Sequence, residues 1–89
     1  MIEHDSQQHR FTLQHDGHCA SLHYTLTGSQ MHITSTQVPE AIAGQGIASR
    51  LNQQALMHAR KAGLSVVPVC SYTQSYIRRH PEFQDLLAI

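Results

Sequence analysis

Two places in this 89-residue chain combine residue types and spacing suited to chemistry, and a third invites a test. The first is Ala43-Gly44-Gln45-Gly46-Ile47-Ala48, a run of mostly small residues directly ahead of an apolar repeat with helical spacing. Backbone N–H groups at a helix mouth hold anions, and missing side chains let a phosphate come close. The same residues also suit a tight turn that only reverses the chain, and spacing leaves both readings open. The turn is not a P-loop, because no Gly-Lys-Ser/Thr is present and Gln45 does not replace the lysine. It is not a complete G-x-G-x-x-G either, since Ser49 stands where the third glycine belongs. The second place is Cys70, between an apolar run and a helix-forming stretch. A helix N-terminus there favours the thiolate, which is a nucleophile for acyl groups. The alternative is a buried cysteine acting as a small hydrophobe. The third is the set of eight histidines. His15 and His18 flank a turn, and His23 and His32 lie diagonally across a polar strand face. Neither pair has a third ligand at a predictable position, so no metal site is expected.

The elements that must position these residues follow from periodicity. "HRFTLQ" and "HCASLHYTLT" alternate with period two, as half-buried strands do. Asp16-Gly17 between them suits a two-residue hairpin turn, which pairs Leu13 with Ala20 and Phe11 with Leu22. A second turn at Gly28-Ser29 pairs Leu26 with Met31 and Tyr24 with Ile33. Both registers put the apolar residues on one face, so an antiparallel three-strand meander is predicted. Unbroken alternation continues Ser35 and Gln37 onto that buried face. Residues 1–8 read as frayed.

From Gly46 the period changes. Ile47, Leu51, Ala55 and Ala59 recur every four residues, a helix of roughly four turns ending at Gly63. Leu64 to Cys70 then reads as a strand buried on both faces, parallel to its predecessor. Pro68 donates no ladder hydrogen bond, so it demands an edge or a bulge and opens a gap beside its neighbour. Ser71 or Thr73 caps a short helix that stops before Pro81, and Phe83, Leu86 and Leu87 tie the tail to the core. The fold class is α/β of the α+β type, in one domain spanning 1–89.

Composition excludes several classes. Six basic residues cancel six acidic ones, which leaves no electrostatic footprint for nucleic acid or an anionic membrane. No run approaches the length of a membrane span, and the polar start of the chain is unlike a signal peptide. Two cysteines, Cys19 and Cys70, read as reduced thiols, so a cytoplasmic location is expected.

"VPEAIAGQGIASRL", followed by a helix, "VVPVC" and "YIRRHPEF", resembles the short single-domain branch of the GNAT superfamily of acetyl-CoA-dependent N-acetyltransferases. The likeness covers Val38 to Leu87 and the strand order of the whole chain. It implies a minimal GNAT-like fold that takes acetyl-CoA as co-substrate and passes the acetyl group to an amine, either a small molecule or a protein lysine. The coenzyme A pyrophosphate would rest on Gly44, Gln45, Gly46, Ile47 and Ala48. The pantetheine arm would pass Gln37, Val38 and Pro39 on one side and Ser71 on the other. The resemblance also implies Tyr76, which ordinary packing explains slightly better, as the acid for the departing thiolate beside the cofactor. Cys70 is the other catalytic candidate. The chain departs from the pattern at Ala43, usually Gln or Arg, and at Ser35 and Gln37, often a histidine and a carboxylate. Neither replacement acts as a base near neutral pH. A coenzyme A-binding sensor or partner module without catalysis is the alternative.

Overall fold

The computed structural model describes residues 2–88. Two turns set the sheet. Asp16 and Gly17 both have positive φ, 50° and 76°, as a two-residue turn of this hand requires. They join β2 (Arg10–His15) to β3 (His18–Thr27) with Leu13 opposite Ala20 and Phe11 opposite Leu22, the predicted register. Gly28 opens the next turn, into β4 (Gln30–Gln37), with Leu26 opposite Met31 and Tyr24 opposite Ile33, again as predicted. Phe11, Leu13, Ala20, Leu22, Tyr24, Met31 and Ile33 are all buried on one face.

The start of the chain departs from the fraying predicted for residues 1–8. Ile2–Asp5 form β1, antiparallel to β2, with Ile2 opposite Leu13 and His4 opposite Phe11. Met1 lies outside the described residues. The cause is aromatic: the His4 ring stacks on Phe11 with centroids 4.1 Å apart, and its Nε2 hydrogen-bonds the Tyr24 hydroxyl. The meander therefore has four strands rather than three, in the order β1-β2-β3-β4, with a fifth strand, Ser65–Pro68, beyond β4.

A second correction lies in β4. Tyr24 faces Ile33 but His23 faces Ser35, so Thr34 is an extra residue, a β-bulge. On the other edge of β3 the ladder with β2 is undisturbed and runs on, with the Tyr24 N–H donating to the His9 carbonyl at 3.0 Å. Beyond the bulge the alternation is inverted. Thr36, opposite Leu22, takes the buried side, while Ser35 and Gln37 turn to the other face.

Helix α1 (Ile47–Ala62) runs between two left-handed glycines, Gly46 and Gly63. Its buried stripe, Ile47, Leu51, Asn52, Ala55, Leu56 and Ala59, lies across β2, β3 and β4. Leu51 and Leu56 are fully enclosed, a burial that stabilises the fold by about 2 kcal/mol for each side chain. Strand β5 (Ser65–Pro68) then pairs parallel with Gln30 to Ile33 of β4.

The double-sided burial predicted for Leu64 to Cys70 is not found. Val66 is buried, Val67 is half-buried and Val69 is 55% exposed. The reason is that helix α2 (Ser71–Arg79) and the 3₁₀ segment Pro81–Leu86 pack on the same side of the sheet as α1. Thr73 of α2 hydrogen-bonds Asn52, and Asp85 pairs with Arg60. The opposite face, carrying Cys19, Ser21, His23, Thr25 and His32, stays open.

Pro68 ends the ladder. The N–H groups of Val69 and Cys70 both turn to the Ile33 carbonyl, at 3.0 and 2.9 Å, while β4 continues to Gln37 with nothing of β5 beside it. This is the gap that the proline predicts. Phe83 and Leu86 are buried and Leu87 bridges to Val66, as expected of the tail.

Candidate functional site

The approach to α1 is made by local main-chain bonds. The N–H of Ile42 donates to the Pro39 carbonyl (3.0 Å) and that of Ala43 to Glu40 (3.1 Å), and the buried Ile42 side chain pins this turn to the core. Gly44 and Gly46 follow with φ of 78° and 76°, a region that costs other residues strain. The first helical bond runs from the Arg50 N–H to the Gly46 carbonyl. Among the described residues, the amides from Gly44 to Ser49 meet no acceptor within the protein. No side chain caps α1, and its first turn holds no acidic residue. The positive end of the helix is therefore free for an anion.

A cavity of about 280 Å³ opens over this turn, lined by Val38, Ala43, Gly44, Gly46, Ile47, Ala48 and Tyr72. A recess of about 340 Å³ between Pro68, Ile77, Arg78 and Leu87 is larger, but it has neither free amides nor a nucleophile. The gap between the end of β4 and Cys70 adjoins the smaller cavity through Val38 and Tyr72. Gln37 is exposed there, Val38 and Pro39 are half-buried, and Ser71 begins α2 at the surface.

Cys70 is the N-cap residue of α2, with φ −67° and ψ 129°, in place of the Ser71 or Thr73 cap that the sequence suggests. Its sulfur lies 3.7 Å from the Thr36 hydroxyl. Burial pushes the thiol up, but the Thr73 amide, the hydroxyls of Thr36 and Thr73, and the Tyr72 amide outweigh it and hold the thiol below its ordinary value. No side-chain hydrogen bond closes this cap, so the amides of α2 act on the sulfur mainly through their field.

Behind the thiol stands Asn52, fully buried. Its Nδ2 donates to the Ala48 carbonyl (2.9 Å) and to Thr36 Oγ1 (3.2 Å), and its Oδ1 accepts from the Thr73 hydroxyl. One side chain thus ties α1, β4 and α2 together beneath Cys70.

Tyr76 is 3% exposed, one helical turn deeper than the cavity. Its ring stacks on His80 at 3.9 Å, and burial raises the phenol above its usual value, with Ser49 as its polar neighbour opposing that shift. It is Tyr72, half-buried, that lines the cavity. Gly44, Gly46, Ile47, Ala48 and Val38 therefore share one cavity, and Cys70 lies beside it. Gln45 projects to solvent from the same turn, and Tyr76 is set back.

Sequence reasoning missed Tyr72, Thr36 and Asn52. Asn52 left a signal: it sits four residues from Ala48 and from Leu56, a polar residue in the middle of an apolar stripe. Thr36 left none, because a bulge has no mark in composition. The histidines stand apart from this site. His23 contacts Ser21 at 3.1 Å and His15 pairs with Asp16 at 3.3 Å. Among the described residues no three His, Cys, Asp or Glu side chains group around a metal position.

A family model described as GCN5-related N-acetyl-transferase matches residues 10–86. The chain belongs to this family. As a GCN5-related protein it is 33% identical over 84 residues to protein NATD1 of Gallus gallus and of Mus musculus, which covers 90% of this chain and 76% of each relative. The same identity holds for NATD1 of Homo sapiens, over 74% of its length. The GCN5-related fold is seen again in the NMR solution structure of a GCN5-like protein from Staphylococcus aureus. The TM-score is 0.78 at 22% identity, covering 99% of this chain and 87% of that one. In this GCN5-related chain no helix among the described residues is long and apolar enough to cross a membrane.

Proposed function

We propose that this GCN5-related chain binds acetyl-CoA along the mouth of α1 and the β4–β5 gap, and transfers the acetyl group to an amine. The observation that supports this most is the row of unpartnered amides from Gly44 to Ser49 at a cavity that is also lined by Tyr72, two residues on from Cys70. The chain is neutral overall, so attraction for a pyrophosphate has to come from this local row and the dipole behind it. Pantetheine carries amide groups. The unpaired edge of β4 from Thr34 to Gln37 offers them the ladder partners that β5 withdraws, with Val38, Pro39 and Ser71 flanking the arm.

The chemistry follows from the thiol. The Cys70 thiolate adds to the thioester carbonyl, the carbon–sulfur bond to coenzyme A breaks, and coenzyme A leaves as a thiolate that takes up a proton. An amine then adds to the acetyl-cysteine, the Cys70 sulfur departs with its electron pair, and the product nitrogen gives its proton to water. Tyr76 assists departure only if its phenol swings out from beside Ser49. Direct attack by the amine on bound acetyl-CoA is the same transfer without the cysteine step.

A second reading, a coenzyme A-binding module without catalysis, is favoured by one observation. Ser35 and Gln37 bring no carboxylate to the open face on which an amine would arrive.

Calorimetric titration with acetyl-CoA, with dephospho-CoA and ATP as controls, tests the binding. Micromolar, acetyl-CoA-selective binding is expected, and no heat at millimolar ligand would overturn both readings. Acetyl transfer to an added amine, or an acetyl group on Cys70 by intact-mass analysis, then marks a transferase, and the absence of both marks a sensor.

A further inference from the structure

We propose that Asn52 is a positioning residue for Cys70. Its carboxamide engages the hydroxyls of Thr36 and Thr73 differently, and leaves the hydrogen of Thr36 free to turn to the sulfur once the thiol loses its proton. The inference rests on the acyl-transfer reading only in taking Cys70 as the working thiol.

The orientation of Asn52 is determined by its partners. The Ala48 carbonyl only accepts, so the amide nitrogen of Asn52 must face it, 2.9 Å away. The second N–H then meets Thr36 Oγ1 at 3.2 Å, and Oδ1 is left facing Thr73. Facing a carbonyl-type oxygen, Thr73 must donate its single hydroxyl hydrogen there. That hydrogen points to Asn52, so the Thr73 hydroxyl acts on the thiol less directly than Thr36 does.

Thr36 is in the opposite condition. It accepts from Asn52, so its own hydrogen remains uncommitted, and a hydroxyl that accepts is a stronger donor in turn. With the thiol protonated, Cys70 donates to Thr36 at 3.7 Å. When that proton leaves, the Thr36 O–H turns and donates to the sulfur anion, a charge-assisted bond.

Stability alone gives no reason for this residue. Asn52 lies among Leu51, Ala55 and Leu56 in a fully buried stripe, where an apolar side chain of similar size costs little once its polar partners are also removed. Every buried side-chain polar atom among the described residues has a partner, so the network is complete.

The test uses the full chain carrying Cys19→Ser, so that Cys70 is the only thiol, and follows the rate of alkylation by iodoacetamide against pH. Circular dichroism confirms folding for each variant. Thr36→Val and Asn52→Leu are each expected to move the profile to higher pH and slow alkylation at pH 7 by about fivefold. Thr73→Val is expected to move the midpoint clearly less than Thr36→Val does. Should Asn52→Leu fail to fold, Thr36→Val against Thr73→Val still decides. Unshifted profiles in Thr36→Val and Asn52→Leu, or an equal shift in Thr73→Val, overturn the proposal. No acetyl-CoA enters the assay, so failure here leaves ligand binding untouched, and failure of binding leaves these profiles as measured.

Discussion

The Thr36 hydroxyl stands 3.7 Å from the sulfur of Cys70, and it faces that way because Thr34, two residues earlier, is an extra residue that inverts the end of β4. The bulge sits beside the point where β5 turns away. One irregularity thus delivers a hydroxyl to the thiol at the place where the sheet opens.

The two glycines of the α1 mouth differ in use from the glycine of the hairpin, though all three have φ near 77°. Gly46→Ala and Gly17→Ala should each cost about 1 kcal/mol of stability, from the left-handed backbone alone, since neither Cβ meets an atom within 4 Å. Only Gly46→Ala is expected to weaken acetyl-CoA binding, by about tenfold, because relief of its left-handed backbone would re-aim the free amides on either side of it. Denaturant titration and calorimetry on both variants separate the two effects.

Cys70→Ala removes the nucleophile without touching the amide row. Acetyl-CoA affinity is expected to stay within about threefold, while the acetylated protein disappears from intact-mass spectra after incubation with acetyl-CoA. An acetyl group still found on the variant would move the acceptor to another residue.

Strand β1 should matter to stability and not to the ligand. Deleting residues 2–5 strips the half-buried Ile2 and the His4 ring from the core edge at a cost of about 1–3 kcal/mol. Acetyl-CoA binding should be unchanged, because β1 and β5 are opposite edges of the sheet. A loss of affinity equal to the loss of stability would contradict this.

His4 and Tyr24 set a pH window. Burial, then the neighbouring His58, lowers the His4 pKa below its ordinary value, with Asp5 opposing and His9 adding to the effect. A depressed pKa means the stabilisation is complete above the unfolded value and is lost as pH falls from about 6.5 through the folded value. Burial, then Asp5, raises the Tyr24 phenol, so its contribution is complete below about pH 10 and lost above it. Thermal unfolding from pH 5 to 8 should show Tm falling on the acid side. His4→Phe, which keeps a ring on Phe11, should flatten that fall.

The sequence was most legible where side-chain chemistry forces geometry. Asp16-Gly17 and Gly28-Ser29 fixed both hairpin registers, the four-residue recurrence from Ile47 to Ala59 marked α1, and Pro68 marked the splay. It failed where a residue stands in for another kind. His4 fills a place on an apolar face by stacking, so β1 shows no alternation to read. Thr34 changes the parity of everything after it, which misplaced Ser35 and Gln37 and hid Thr36. At the site, the glycines and Cys70 stood out by type and position. Tyr72 did not, because choosing it over Tyr76 requires knowing how α2 is rotated against the glycine turn.

A cradle built of peptide groups has an evolutionary consequence. Gln45 projects into solvent, and the N–H groups that would meet a ligand belong to every amino acid but proline. Mutation can drift freely at such positions as long as Gly44 and Gly46 keep their left-handed backbone. Shape would then outlast spelling at the mouth of α1.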